Sequence, residues 1–154
     1  MCMDRGGWDQ GHGLAEVNMY KATKAIYFCY GHRLLNYEGK CKNLHGHNAK
    51  VEIELQTEAL DHRHMVVDFD DIHRVIKSWI DEQFDHKMLL RSDDPILPVL
   101  QEHGEPCYVF DTNPTAEAIA RLIYDYAVER GLPVAEVRVW ETESSYASYR
   151  KTFA

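Results

Sequence analysis

The run from His45 to Gln56, HGHNAKVEIELQ, alternates with a strict period of two. His45, His47, Ala49, Val51, Ile53 and Leu55 fall on one face. Gly46, Asn48, Lys50, Glu52, Glu54 and Gln56 fall on the other. This pattern requires a strand with one face in a core and one in water. Such a strand needs partners, since an isolated strand or hairpin is marginal in water.

Partners are legible on both sides. Residues 17–30, VNMYKATKAIYFCY, are rich in β-branched and aromatic side chains and predict a first strand. Residues 31–44 carry Gly31, Asn36, Gly39 and Asn43 and predict a loop. After a turn near 57–63 and a short extended MVVDF, the residues Ile72, Val75, Ile76, Trp79, Ile80 and Phe84 recur at helical spacing. Asp68, Asp70 and Asp71 sit at the positive end of that helix. Residues 91–113 are polar, with Pro95, Pro98, Gly104 and Pro106, and leave room for a short helix (PILPVLQ) and a short extended piece (CYVF). NPTAEAIARLIYDYAVERG then predicts a second helix, capped by Asn113 or Thr115 and stopped at Gly131. AEVRVWETE and SYASYRKTFA predict two final strands with a turn at Ser144. The order is β-β-α-α-β-β, an α+β domain with an antiparallel sheet and two helices on one face. Two helices cannot cover every edge of the sheet, and open edges favour oligomers built by strand pairing.

Composition narrows the class. At 154 residues and 45% hydrophobic, the chain is long enough for its own core. We read residues 16–154 as a single domain and the Gly-rich residues 1–15 as a flexible N-terminal arm. A net charge of −8 argues against a broad surface for nucleic acid or anionic membrane. The four cysteines, Cys2, Cys29, Cys41 and Cys107, lack paired spacing, as expected of reduced thiols. With no apolar run near the ~20 residues of a membrane span and no signal-peptide layout, the expected location is cytoplasmic.

His45 and His47 are the two residues that do not belong on an apolar face. At positions i and i+2 both imidazoles point the same way and can reach one ion. His32, just past the first strand, shares a side with Ile26, Phe28 and Tyr30, and a hairpin partner brings it alongside. Three neutral imidazoles suit Zn²⁺ at about 2.0–2.1 Å with a fourth position open, as catalytic zinc requires. The plain alternative is a set of hydrogen-bonded core histidines. Cys41 stands between Lys40 and Lys42, where positive charge favours a thiolate. It is an ordinary loop thiol, a reactive one, or a fourth ligand that would close the zinc site. Asp85 next to His86 can orient an imidazole, although adjacent residues seldom face each other; as a bland reading, His86 ends a helix. Glu141 closes the apolar face Ala135, Val137, Val139. There it either binds a ligand with paired donors, such as an aminopyrimidinone edge, or marks a frayed strand end in water. His62 and His64 read as surface residues of a turn.

Together, FCYGHRL (28–34), CKNLHGHN (41–48), MVVDF (65–69), DHKML (85–89), NPTAE (113–117) and WET (140–142) resemble the 6-pyruvoyl-tetrahydropterin synthase / 6-carboxytetrahydropterin synthase family, over residues 18 to 151. The resemblance implies the tunnelling fold, with sheets paired between subunits into a barrel, commonly a hexamer. It implies zinc on His32, His45 and His47, and catalysis by Cys41 with Asp85 and His86 reaching in from a neighbouring subunit. It implies that Glu141 anchors the pterin ring, near Thr115 and Glu117, for which helix capping is the plainer explanation. The implied substrate is 7,8-dihydroneopterin triphosphate, with Lys40, Lys42 or Arg33 offsetting its charge. The product is then either a 6-pyruvoyl group or, after loss of acetaldehyde, 6-carboxytetrahydropterin for queuosine and deazapurine synthesis. The short Cys41–His45 spacing resembles the carboxy-forming branch. A non-catalytic pterin-binding protein of the same fold is a further alternative, and Cys41 speaks against it. Three features depart from the family pattern: Ala49 in place of an aromatic, His64 in place of a glycine, and the long stretch before Pro114.

Overall fold

The computed structural model describes residues 16–152; the arm expected over 1–15 lies outside the described residues. Strand β1 (Tyr20–His32) pairs antiparallel with β2 (His45–Thr57) along its full length. β2 pairs with β5 (Val134–Thr142), and β5 pairs with β6 (Ser145–Tyr149), both antiparallel. These are the four strands the alternation predicts, with β1 beginning and ending two or three residues later than expected.

Two short strands join the sheet at one edge. β3 (Lys87–Arg91), which was not expected, docks parallel to the end of β1, and β4 (Cys107–Phe110), the extended piece CYVF expected from the sequence, docks parallel to β3. The sheet is therefore six-stranded and mixed, in the order β4-β3-β1-β2-β5-β6. The α+β class holds, but the antiparallel order is extended by two parallel strands at one edge. The reason is physical. Leu89 and Leu90 are both fully buried, so β3 shows no alternation that would mark it as a strand.

Helix α1 is continuous in three pieces, Phe69–Ile72, a π-turn segment His73–Lys77, and Ser78–Gln83. Asp68 caps it by accepting from the Asp70 N–H at 2.9 Å. Its buried residues Ile72, Ile76, Ile80 and the following Phe84 recur every fourth position. Within 91–113 lies α2 (Leu97–Glu102). Helix α3 (Ala116–Glu129) is capped by Thr115, whose side chain accepts from the Ala118 N–H, and is followed by Gly131 at φ 81°.

The core joins Ile26, Phe28 and Tyr30 of β1 to Ala49, Val51, Ile53 and Leu55 of β2, with α1 and α3 packed over them. Ala49 is buried directly opposite Phe28. The aromatic bulk at this register is carried by Phe28, stacked on Tyr30 with ring centroids 5.5 Å apart. The other face of the sheet is polar and cross-linked. Glu54 takes Lys21 at 2.7 Å and Arg138 at 3.3 Å, and Trp140 donates to Glu52 at 3.0 Å. His64 has φ 60°, the left-handed conformation that glycine adopts without strain. The departure at this position therefore keeps a glycine-like backbone. Among the described residues, no helix is long and apolar enough to cross a membrane.

Phe84 is fully buried where α1 meets the sheet. Phe84→Ala should cost about 3–5 kcal/mol, from lost transfer energy plus an unfilled cavity. The shift of the urea midpoint at unchanged slope measures it, and a loss under ~1 kcal/mol would contradict this packing.

Candidate metal centre and its surroundings

The β1–β2 register places His32 opposite His45 and Tyr30 opposite His47. The glycine between the two histidines has a steric reason. A Cβ on Gly46 would stand 2.9 Å from the Tyr30 carbonyl oxygen, so only glycine lets the strands close here. As a result the three imidazoles converge. His32 Nε2 lies 3.0 Å from His45 Nε2 and 3.1 Å from His47 Nε2.

The outer nitrogens fix the tautomers. His32 Nδ1 lies 2.7 Å from the Pro114 carbonyl oxygen, and His45 Nδ1 lies 2.8 Å from the Asn43 carbonyl oxygen. A carbonyl only accepts, so both Nδ1 atoms carry the proton. In the neutral rings both Nε2 atoms then present lone pairs to each other across 3.0 Å, with no proton between them. Such a donor set suits a Lewis acid at its centre and matches the three-nitrogen zinc set with an open position. Burial holds His32 below the ordinary imidazole value, against the opposing pull of the Pro114 carbonyl and Glu141. Near neutral pH it is therefore uncharged, the form able to bind a metal.

Glu141 is not a frayed end. Its Oε1 accepts from the Tyr30 hydroxyl at 2.8 Å and lies 3.7 Å from His32 Nε2 and 3.8 Å from His47 Nε2. Burial first, and then the Glu141 charge and hydrogen bond, push the Tyr30 hydroxyl far above its usual value, so it stays a donor. Cys41 sits in a 3-10 turn, Lys40–Lys42, whose carbonyl at Cys41 accepts from the Leu34 N–H at 2.8 Å. One cavity of 310 Å³ is lined by His32, Cys41, Glu141, Thr115 and Glu117 together. Thr115 also does its plain work as the α3 cap.

Asp85 and His86 lie elsewhere. They precede β3, beside Cys29 rather than Cys41, and His86 lines a cavity of 650 Å³ that His45 and His47 also line and Cys41 does not. The reservation that adjacent residues seldom face each other does not apply here. His86 has φ 57°, and its Nδ1 meets Asp85 Oδ2 at 2.8 Å.

Arg33, expected among the cations that would offset triphosphate, is already committed. Its Nε donates to Asp94 Oδ2 at 2.8 Å and its Nη2 to Asp94 Oδ1. Asp94 is 2% exposed and also accepts from the Ile96 N–H at 2.9 Å. Asn113 makes a second clamp, accepting from the Leu35 N–H at 2.9 Å and donating to the Leu35 carbonyl at 2.8 Å. The long 91–113 stretch thus fastens Arg33 and Leu35, while Pro114 holds His32 itself. Sequence reasoning missed both clamps, because each joins residues more than sixty positions apart with no motif between them.

The sequence model of the 6-pyruvoyl tetrahydropterin synthase family matches residues 21–152. A protein of Rickettsia felis named 6-carboxy-5,6,7,8-tetrahydropterin synthase is 36% identical over 135 residues, 83% of this chain and 98% of its own length. One of the same name in Haemophilus influenzae is 30% identical over 141 residues, 86% of this chain and 100% of its own. Among solved structures, an uncharacterized protein of Wolinella succinogenes superposes with a TM-score of 0.73 at 28% identity, covering 87% of this chain and 99% of its own. The Caenorhabditis elegans 6-pyruvoyl tetrahydropterin synthase shares the fold, with a TM-score of 0.64 at 18% identity over 90% of this chain and 100% of its own.

Hydrogen bonds from Arg33 hold the Asp94 carboxyl below its ordinary value, with burial opposing them. Its folded pKa is thus below its unfolded one. The stabilisation is complete above about pH 4 and is lost as pH falls through the folded value. Asp94→Asn should therefore cost about 2–4 kcal/mol at pH 7, since it leaves the guanidinium without its partner. That deficit should narrow on going to pH 3 in paired urea titrations; an equal deficit at both pH values would count against the pair.

The family model spans residues 21–152 and the sheet matches the solved structures, so the chain belongs to the 6-pyruvoyl tetrahydropterin synthase family.

Proposed function

We propose that this protein is a zinc-dependent lyase. In this reading it converts 7,8-dihydroneopterin triphosphate and water to 6-carboxy-5,6,7,8-tetrahydropterin, acetaldehyde and triphosphate. The observation that carries the reading is the shared cavity: His32, Cys41 and Glu141 open onto one space. A pterin-binding module needs Glu141 but has no use for a thiol there. The carboxy-forming branch is supported by the three residues between Cys41 and His45 and by the names of the Rickettsia and Haemophilus relatives.

His32, His45 and His47 would hold the zinc, which would supply a Lewis acid for the substrate's hydroxylated side chain. Glu141 accepts hydrogen bonds from the paired N–H donors of the aminopyrimidinone edge. The Tyr30 hydroxyl occupies Oε1, which leaves Oε2 to face the ring. Cys41 removes the carbon-bound proton next to the ring as the general base. Asp85 orients His86, and His86 carries protons to and from the reacting side chain. His86 does not line the cavity that holds Cys41, so in this reading the pair serves the Cys41 site of a second copy of the chain and the active unit is a homo-oligomer. With Arg33 bound to Asp94, Lys40 and Lys42 remain to offset the triphosphate.

The zinc-loaded protein incubated with dihydroneopterin triphosphate should release acetaldehyde and 6-carboxytetrahydropterin by mass spectrometry. Cys41→Ala should lower turnover by about 10²–10⁴-fold, the usual worth of a general base. A 6-pyruvoyl product would overturn the branch, and full turnover by Cys41→Ala would overturn the mechanism.

A further inference from the structure

On the polar face of the sheet, opposite the histidine centre, a second set of metal-ligating side chains comes together. Cys29 alternates away from Phe28 and Tyr30 and therefore points to the face that His32 avoids. A ligand atom of Cys29, of Asp85 and of His86 each lies within 4.8 Å of the other two. The backbone holds the three together. The Cys29 N–H donates to Asp85 Oδ1 at 2.8 Å, and the His86 N–H donates to the Cys29 carbonyl at 2.7 Å. His86 is in the left-handed conformation that turns its ring back onto Asp85. A fourth donor is at hand, since the Asn48 Oδ1 is 3.0 Å from the Cys29 sulfur. Cys29, Asn48 and His86 all line the 650 Å³ cavity, so an ion has a route in.

We infer that Cys29, His86 and Asp85 form a second divalent-cation site, inhibitory to the enzyme, that selects zinc-like ions over magnesium or calcium. The selectivity follows from the donors, because a thiolate and an imidazole favour borderline-soft ions and three oxygen-poor ligands do not satisfy hard ones. Binding needs no redox partner. The ion takes the thiolate sulfur, the Nδ1 lone pair and Asp85 Oδ2. The thiol proton leaves to the buffer, and the Nδ1 proton moves to Nε2. The Asp85–His86 hydrogen bond is exchanged for two metal bonds. With Nδ1 on the ion and Nε2 protonated, His86 has no nitrogen left to accept a proton. The binding half stands on the side chains alone, and the inhibitory half rests on the relay role proposed for His86.

The test uses the full-length protein already carrying one equivalent of zinc and titrates it with Co²⁺. We expect about one further ion per chain, with a sulfur-to-cobalt charge-transfer band in the near ultraviolet and about one proton released per ion. Cys29→Ser should abolish the band, and Cys41→Ser should keep it. His86→Ala, at a side chain 78% exposed and so of little risk to folding, should weaken the added ion at least tenfold. A band that survives Cys29→Ser or vanishes in Cys41→Ser would overturn the site. In turnover assays a second equivalent of zinc should inhibit the wild type at least tenfold and leave Cys29→Ser, with its basal turnover intact, uninhibited. Equal inhibition of both would overturn the inhibitory role. A protein that binds the second ion but never turns the pterin over would fail the proposed function and leave the site standing.

Discussion

The structure depends first on the register between β1 and β2. Thirteen cross-strand pairs run from Tyr20 opposite Thr57 to His32 opposite His45. A slip of one residue would turn Val51, Ile53 and Leu55 into water and carry both histidines of the His-Gly-His element to the wrong face. Burial of those three side chains, each worth about 1.5–3 kcal/mol, fixes the register. The three-histidine cluster inherits its geometry from that packing. With the His45 and His47 nitrogens each about 3 Å from that of His32, the lone pairs repel in the absence of a Lewis acid, and the hydrophobic face supplies the energy that holds them there.

The centre is then braced from outside the hairpin. Pro114 fixes the His32 tautomer, Asn113 holds Leu35, and Asp94 holds Arg33. Asp94 comes from the start of the chain's long polar stretch, Asn113 from its end and Pro114 from just after it. A segment that looks like a loop in the sequence therefore supplies the outer support of the site. The same stretch provides β4, and β4 packs against β3, whose parallel pairing to the end of β1 places Asp85 and His86 beside Cys29. The sheet thus carries polar clusters on both faces: three histidines and Glu141 toward the core, a thiol with an Asp–His pair on the polar side.

What was legible in the sequence follows the range of the forces involved. Period-two alternation reports directly on burial, so β2, the β1 face and the shared orientation of His45 and His47 could be read off. The i, i+4 run Ile72, Ile76, Ile80, Phe84 and the Thr115 cap are local in the same sense. β3 was invisible because it is buried on both sides and only five residues long. The Arg33–Asp94 pair was invisible because a bidentate ion pair leaves no trace in the spacing of its members. Cys29 stood out only as one of four scattered thiols; its neighbours come from another strand and from the turn before β3. His64 could have been suspected, since a turn carrying Asp61 and Arg63 next to it invites a left-handed residue, and its φ bears that out.

The central claim is that a single metal ion is held by three histidine nitrogens with a position left open. X-ray absorption at the zinc edge, on protein loaded with one equivalent of zinc, tests it most directly. The account predicts about three nitrogen scatterers near 2.0–2.1 Å plus one lighter oxygen ligand, with no sulfur in the shell. A sulfur scatterer near 2.3 Å would mean that Cys41 closes the site or that the ion prefers Cys29, and either result would contradict an open three-histidine centre.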